Sequence, residues 1–155
     1  MPEIVMERQL TAQLADIWAL WTVPHEMERW WGPKGFSVRV DAMDLRVGGE
    51  LRYAMIAEDP AMVDFLKANG MPRESSVTLT FTDVVPMTRL AWRALVDFVP
   101  DHPPYDTAHV VEFRQVGAQV HLRITIDRMH DDIWTERSRM GWEEELDRLV
   151  ALVGG

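Results

Sequence analysis

Three features of the sequence predict an α+β fold, in which a curved antiparallel sheet of about seven strands grips one long C-terminal helix. The first is the segment from about 131 to about 153. Here Trp142, Leu146, Leu149 and Val153 fall at i, i+4, i+7 and i+11 and make one apolar stripe on a helical period. The second is a run of short segments through the middle of the chain in which apolar and polar residues alternate, the period of half-buried strands. The third is the turn chemistry between those segments, which suits a meander of antiparallel neighbours. A stripe so apolar needs a broad partner, and only the strands upstream supply one. A sheet wrapped around a single helix has a middle that is hard to fill. A cavity between helix and sheet is therefore expected, and concave apolar cavities are where ligands bind.

The chain opens with a weakly alternating strand, Ile4 to Leu10. Thr11 is expected to cap a helix in which Leu14, Ile17, Trp18 and Trp21 form the apolar stripe. Pro24 suits the first turn of a second, short helix that carries Met27, Trp30 and Trp31, and Gly32-Pro33-Lys34-Gly35 breaks it. Phe36, Val38, Val40 and Ala42 alternate with Ser37, Arg39 and Asp41; Gly48-Gly49 turns the chain, and Leu51, Tyr53 and Met55 alternate on the way back. The pattern then changes. Pro60 starts an amphipathic segment with Met62, Val63, Phe65 and Leu66 that ends at Asn69-Gly70, read as an inserted helix at about 60–70 and expected to act as a lid or as a partner-contacting element. Strands resume with Val77, Leu79 and Phe81, turn at Pro86, and continue with Leu90, Trp92, Ala94 and Val96 before a loop stiffened by Pro103 and Pro104.

The last hairpin can be registered from the residues alone. With Gly117-Ala118 as a two-residue turn, glycine first, Val111 and Phe113 face Ile124 and Leu122, and His109 faces Ile126. Glu112 and Arg114 then face Arg123 and His121 on the other side of the sheet. A slip of one residue would bury Glu112 and Arg114 among Leu122 and Ile124, so it is rejected. In the terminal helix, Asp131 or Asp132 caps the first turn, Glu136 adds negative charge near the positive end, and Gly154-Gly155 ends the helix.

Composition narrows the function. At 155 residues the chain makes one domain, 1–155, without help from disulfides, since it has no cysteine. No thiolate nucleophile or cysteine-based zinc site is available, and the histidines show no metal spacing. The absence of cysteine, of a leader-like N-terminus and of any apolar run near the ~18 residues of a membrane span fits a cytoplasmic protein. A net charge of −9 with no basic run argues against nucleic acid and anionic membrane as partners. Seven Trp and ten Met supply large, adaptable apolar surface, useful in a core, around a ligand or in a homodimer interface.

Three stretches carry a resemblance. They are Trp30-Trp31-Gly32-Pro33-Lys34-Gly35-Phe36, Asp44-Leu45-Arg46-Val47-Gly48-Gly49-Glu50-Leu51-Arg52 and Gly141-Trp142-Glu143-Glu144-Glu145-Leu146-Asp147-Arg148-Leu149. With Ile17-Trp18 on the first helix, they resemble the bacterial proteins similar to the C-terminal domain of the activator of heat-shock protein 90 ATPase. That family belongs to the START-like, helix-grip superfamily, with the birch-pollen allergen, polyketide cyclases and lipid-transfer domains. The resemblance covers nearly the whole chain and implies the helix-grip fold, with two short helices after the first strand. For function it implies only a hydrophobic ligand of unspecified kind, because the superfamily binds many. The segment at 60–70 is longer than the connection usual there. The eukaryotic co-chaperone also carries a separate N-terminal domain, for which this chain has no room.

The residue types allow three functional readings. The leading one is a binding domain for a hydrophobic or aromatic small molecule, with no catalytic residue, no metal and no cofactor, lined by Trp31, Tyr53, Trp92, His109, Phe113, Trp134 and Met140. The second is a co-chaperone-like module whose partner is a chaperone or another protein. The third is a cyclase- or hydrolase-like enzyme using His109 with Asp97 or Glu50 as acid and base. His109 is the one polar side chain that the hairpin register sends inward, and a hydrogen-bonded neutral core histidine is the simpler expectation for it. Trp30-Trp31 is expected to anchor the core, residues 44–49 to form a structural turn, and Glu143-Glu144-Glu145 to form a solvated helix face. Gly141 costs a helix interior ~1 kcal/mol, so either the sheet backbone comes close there, which is the first expectation, or cavity volume is kept open.

Overall fold

The structure, a computed structural model, describes residues 3–154; Met1, Pro2 and Gly155 lie outside the described residues. Strand β1 (Ile4–Thr11) leads through helices α1 (Leu14–Thr22) and α2 (Pro24–Met27) to β2 (Phe36–Met43) and β3 (Glu50–Ala57). Helix α3 (Pro60–Ala68) interrupts the strands, which continue as β4 (Glu74–Val85), β5 (Arg89–Val96), β6 (Tyr105–Val116) and β7 (Gln119–Ile126) before α4 (Asp132–Val153). The seven strands form one antiparallel sheet in the order β1-β7-β6-β5-β4-β3-β2. Bulges between Val40 and Ala42 and between Phe81 and Asp83 add the local bend that such a sheet needs to curve. Among the described residues no helix is long and apolar enough to cross a membrane.

The β6–β7 register is the one the residues demand: Val111 faces Ile124, Phe113 faces Leu122 and His109 faces Ile126. The helix ends follow their local chemistry, with one exception. Asp131 caps α4 by accepting from Trp134 N at 2.8 Å, and Gly154 closes it in the left-handed conformation. Asp59 caps α3 in the same way, with Pro60 at its first position. Thr11 does not cap α1, because β1 runs on through it. The side chain of Gln115 on β6 replaces it, its Oε1 accepting from Leu14 N at 2.8 Å. A cap supplied from a hundred residues away is invisible to a local reading.

The core lies between the concave face of the sheet and the helices. Trp21 and Trp30 are fully buried, and the Trp30 indole N–H donates to Leu20 O at 2.8 Å. Edge-on ring contacts join Trp21 to Trp30, Trp31 and Phe113 at 4.6, 5.7 and 5.9 Å. Helix α4 is held down by Leu146 and Leu149, both fully buried, and by Arg148, whose Nη1 donates to Gly32 O at 2.8 Å beside the carbonyls of Trp31 and Pro33. Helix α3 stands apart, with no buried residue, and Phe65 on it is 58% exposed.

The turn before β3 shows what its glycines are for. Asp44 and Arg46 pair at 2.8 Å, Gly49 N donates to Arg46 O, and Gly48 N reaches across to Phe81 O. Gly48 has a φ of +83°, while a Cβ on Gly49 would sit 2.1 Å from Asp44 O. A side chain at Gly48 meets only the backbone preference; one at Gly49 meets the chain itself. Gly48→Ala is expected to cost about 1 kcal/mol and Gly49→Ala on the order of 2–4 kcal/mol, measured by urea unfolding. Equal losses would mean that the clash relaxes freely.

Candidate functional site

A cavity of about 360 Å³ lies between α4 and the sheet. Its sheet wall is built by Tyr53 and Met55 on β3, Val77 and Leu79 on β4, Trp92, Ala94 and Val96 on β5, and Thr107 and His109 on β6. Its helix wall is Trp134, Arg137, Ser138, Gly141, Trp142 and Glu145, with Trp31 and Met129 closing the sides. These α4 positions follow i, i+3, i+4, i+7, i+8 and i+11, so one helical face looks into the space. The exposed members of the lining, Leu95, Phe98 and Arg137, mark the mouth. There Phe98 and Trp134 have ring centroids 5.8 Å apart, and the Arg137 guanidinium lies 4.8 Å from the Trp134 ring, a cation–π contact.

Gly141 opens the middle of the helix wall. A Cβ built on it meets nothing within 4 Å, so neither the sheet backbone nor any side chain approaches it. Of the two readings of this glycine, the structure supports open volume and corrects the expectation of close backbone approach.

The wall is apolar except at a few points. His109 is 7% exposed, stacked almost parallel on Trp92 at 5.4 Å, with Nε2 3.1 Å from the Thr107 hydroxyl. Burial pushes its imidazole down to about 4, against a smaller opposing pull from Asp127, so the ring is neutral at physiological pH. Glu145 lies opposite in charge logic. Burial pushes its carboxyl up to about 8, only partly offset by Arg148 and reinforced by Glu144, so it holds its proton at pH 7. Tyr53 is raised by its own burial; Trp31, hydrogen-bonded to its hydroxyl, opposes the shift, and Glu145 adds to it. Two polar atoms of lining residues, His109 Nδ1 and Glu145 Oε2, are covered on every side, the cavity side included, and have no hydrogen-bond partner among the described residues.

Of the residues proposed from sequence, Trp31, Tyr53, Trp92, His109 and Trp134 lie together in this lining. Phe113 and Met140 lie outside it. Phe113 has the right side of the sheet, but α1 covers that end, and its ring packs on Trp18 at 5.1 Å. Met140 is 54% exposed, since it sits about 100° around the helix from Gly141. Helix α3 contributes no lining residue, so it is not the lid expected from its position in the sequence. Asp97 and Glu50, the carboxylates considered with His109, are both exposed and outside the lining. The acid that the cavity does contain is Glu145, one of the three acids expected on a solvated helix face. Its spacing held the signal, because it stands three residues after Trp142 and four before Leu149. Among the described residues no group of three or more His, Cys, Asp or Glu side chains is placed to hold a metal ion.

The buried acid gives a pH test. Its pKa is higher folded than unfolded, so its penalty is absent below the unfolded value of 4.5, grows as pH rises, and is complete above about 8. Glu145→Gln lacks this penalty. The variant is expected to gain on the order of 2 kcal/mol over the wild type between pH 5 and pH 9 in urea unfolding. An equal difference at both pH values would place the carboxyl in water.

The fold recurs in solved structures. Protein CV1439 of Chromobacterium violaceum superposes with a TM-score of 0.78 at 24% identity, covering 99% of this chain and 97% of its own. The AHSA1 protein of Silicibacter pomeroyi gives 0.74 at 19% identity, over 99% and 98% of the two chains. Protein NE0264 of Nitrosomonas europaea gives 0.73 at 22%, over 98% and 94%. At these identities the likeness establishes the START-like, helix-grip fold. Among curated proteins none matches the chain. The family model described as activator of Hsp90 ATPase homolog 1-like protein matches residues 11–154, from the end of β1 to the glycine that closes α4, and the chain belongs to that family.

Proposed function

We propose that this protein binds a hydrophobic, aromatic small molecule in the cavity between α4 and the sheet. The observation that carries this reading is Gly141. Its backbone does not need glycine for a positive φ, and its missing side chain makes room for no neighbour. In the middle of a 22-residue helix it still costs ~1 kcal/mol relative to alanine. What it supplies is volume on the cavity axis, beside an aromatic wall of Trp31, Trp92, Trp134 and Trp142. At about 360 Å³ the space is in the range of small-molecule sites, and its rings offer flat faces for stacking.

Thermal unfolding of the protein against fatty acids, sterols, flavonoids and aromatic polyketides tests the reading. A flavonoid or aromatic polyketide is expected to raise the midpoint in proportion to the logarithm of its concentration. Gly141→Phe, which fills the open volume while keeping the helix, is expected to fold and to lose that response. Gly141→Ala is expected to fold with about 1 kcal/mol more stability. A panel without effect on the wild type, or an undiminished response in folded Gly141→Phe, overturns the proposal.

A further inference from the structure

Helix α4 carries three arginines, and two of them have protein acceptors. Arg139 pairs with Glu136 and Glu143, and Arg148 donates to the carbonyls around Gly32. Arg137 meets neither a carboxylate nor a carbonyl among the described residues, only the face of the Trp134 ring at 4.8 Å. An exposed arginine without an acid is ordinary by itself; what distinguishes Arg137 is its place.

Arg137 stands at the cavity mouth, where Leu95, Phe98 and Trp134 form an apolar rim. Phe98 is 62% exposed and Leu95 52%, so the rim leaves wide apolar surface in water. Stacking on Trp134 occupies a face of the guanidinium plane and leaves its N–H edges free. Those edges match a carboxylate, which an arginine can hold with two parallel hydrogen bonds.

The interior sets the opposite requirement. Besides Arg137 the titratable side chains of the lining are His109, Tyr53 and Glu145, and burial holds each of them uncharged at pH 7. An ion carried inside would lose its hydration and meet no opposite charge. A cation at the mouth and none within gives an amphiphilic guest one orientation. Long side chains on a helix lean towards its N-terminus, so the Arg137 guanidinium lies over the turn that carries Trp134, away from Gly141. Gly141 stands one turn further in, about 6 Å along the axis.

Resting on the small-molecule reading above, we propose that the guest is an aromatic carboxylate, its rings in the cavity beside Gly141 and its carboxylate at the mouth on the Arg137 guanidinium. There the carboxylate keeps part of its hydration, and only the apolar body is fully withdrawn from water.

Calorimetric titration at pH 7 compares 2-naphthoate with its neutral isostere 2-naphthamide and the cation 2-naphthylmethylammonium. The naphthoate is expected to bind about tenfold more tightly than the amide, and the cation more weakly than either. Arg137→Met keeps an apolar stem without the charge and is expected to bring the affinity ratio of naphthoate to amide to about one. Arg139→Met removes an equal charge outside the lining and is expected to keep the ratio at about ten. Gly141→Phe, which fills the open volume, is expected to lose both compounds. Unfolding curves establish that each variant folds, and the wild-type comparison needs none of them. An amide that binds the wild type as tightly as the naphthoate overturns the inference and leaves the small-molecule reading standing. So does an undiminished ratio in folded Arg137→Met. A ratio lost equally in Arg139→Met assigns the preference to overall charge and overturns the contact. Naphthoate retained by folded Gly141→Phe puts it on the surface, which overturns the inference as well. Failure of all three compounds overturns it too, and the thermal panel decides independently whether the small-molecule reading falls with it.

Discussion

Leu146 and Leu149, the buried side chains of α4, both lie in its C-terminal half, and Arg148 between them grips the carbonyls around Gly32. The first half of the helix, through Met140, buries no side chain fully. Twenty-two residues make a rod of about 33 Å, so anchoring one end sets the height of the other above the sheet. The Asp131 cap and the short connection from β7 hold the far end in place without drawing it down. The cavity lies under the part of the helix that precedes Leu146. Its position follows from where the apolar stripe begins, and Gly141 and Trp142 mark the boundary.

The tryptophans divide along the same boundary. Trp18, Trp21 and Trp30 belong to the closed end, under α1 and α2, where Phe113 joins them. Trp134 belongs to the open end. Trp31, Trp92 and Trp142 stand between, in contact with one another at 5.6–6.1 Å and with the cavity on their free faces. A wall made of wide, rigid rings keeps its shape when the space beside it is unfilled, since each ring is fixed by edge contacts to the next. Smaller aliphatic side chains in the same positions would close such a gap by changing rotamer. The high tryptophan content therefore has a structural use on both sides of the boundary.

Much of this was legible in the residues because the signals are local or strictly periodic. The β6–β7 register follows from a glycine-first turn and the cost of burying Glu112 or Arg114, and the α4 cap and stop follow from Asp131 and Gly154. The inward direction of His109 came from the same register. What the residues did not disclose depends on curvature and on distant partners. Phe113 shares a sheet face with His109, yet α1 reaches one and not the other, and strand alternation carries no information about which helix lies overhead. Met140 is next to Gly141 in sequence, but rotation about the helix axis decides which side chains face the cavity. Glu145 sits in a run of three acids that reads as solvated, although its spacing from Trp142 and Leu149 puts it on the inner face. The lid expected of α3 fails for a similar reason: an amphipathic pattern announces a face that wants covering without saying what it covers.

The polarity of the cavity runs against the net charge of the chain. A protein at −9 has abundant carboxylates in water, yet the one in the cavity is held neutral by burial, and the histidine across from it is held neutral by the same cause. Each shift alone destabilises the fold on one side of neutrality, histidine as pH falls from 6.5 towards about 4 and glutamate as it rises from 4.5 towards about 8. Between those limits the interior carries no formal charge from either. A leucine and a phenylalanine in the two positions would carry neither pH-dependent penalty. The cost of the polar groups is local, and neither His109 Nδ1 nor Glu145 Oε2 has a hydrogen-bond partner among the described residues.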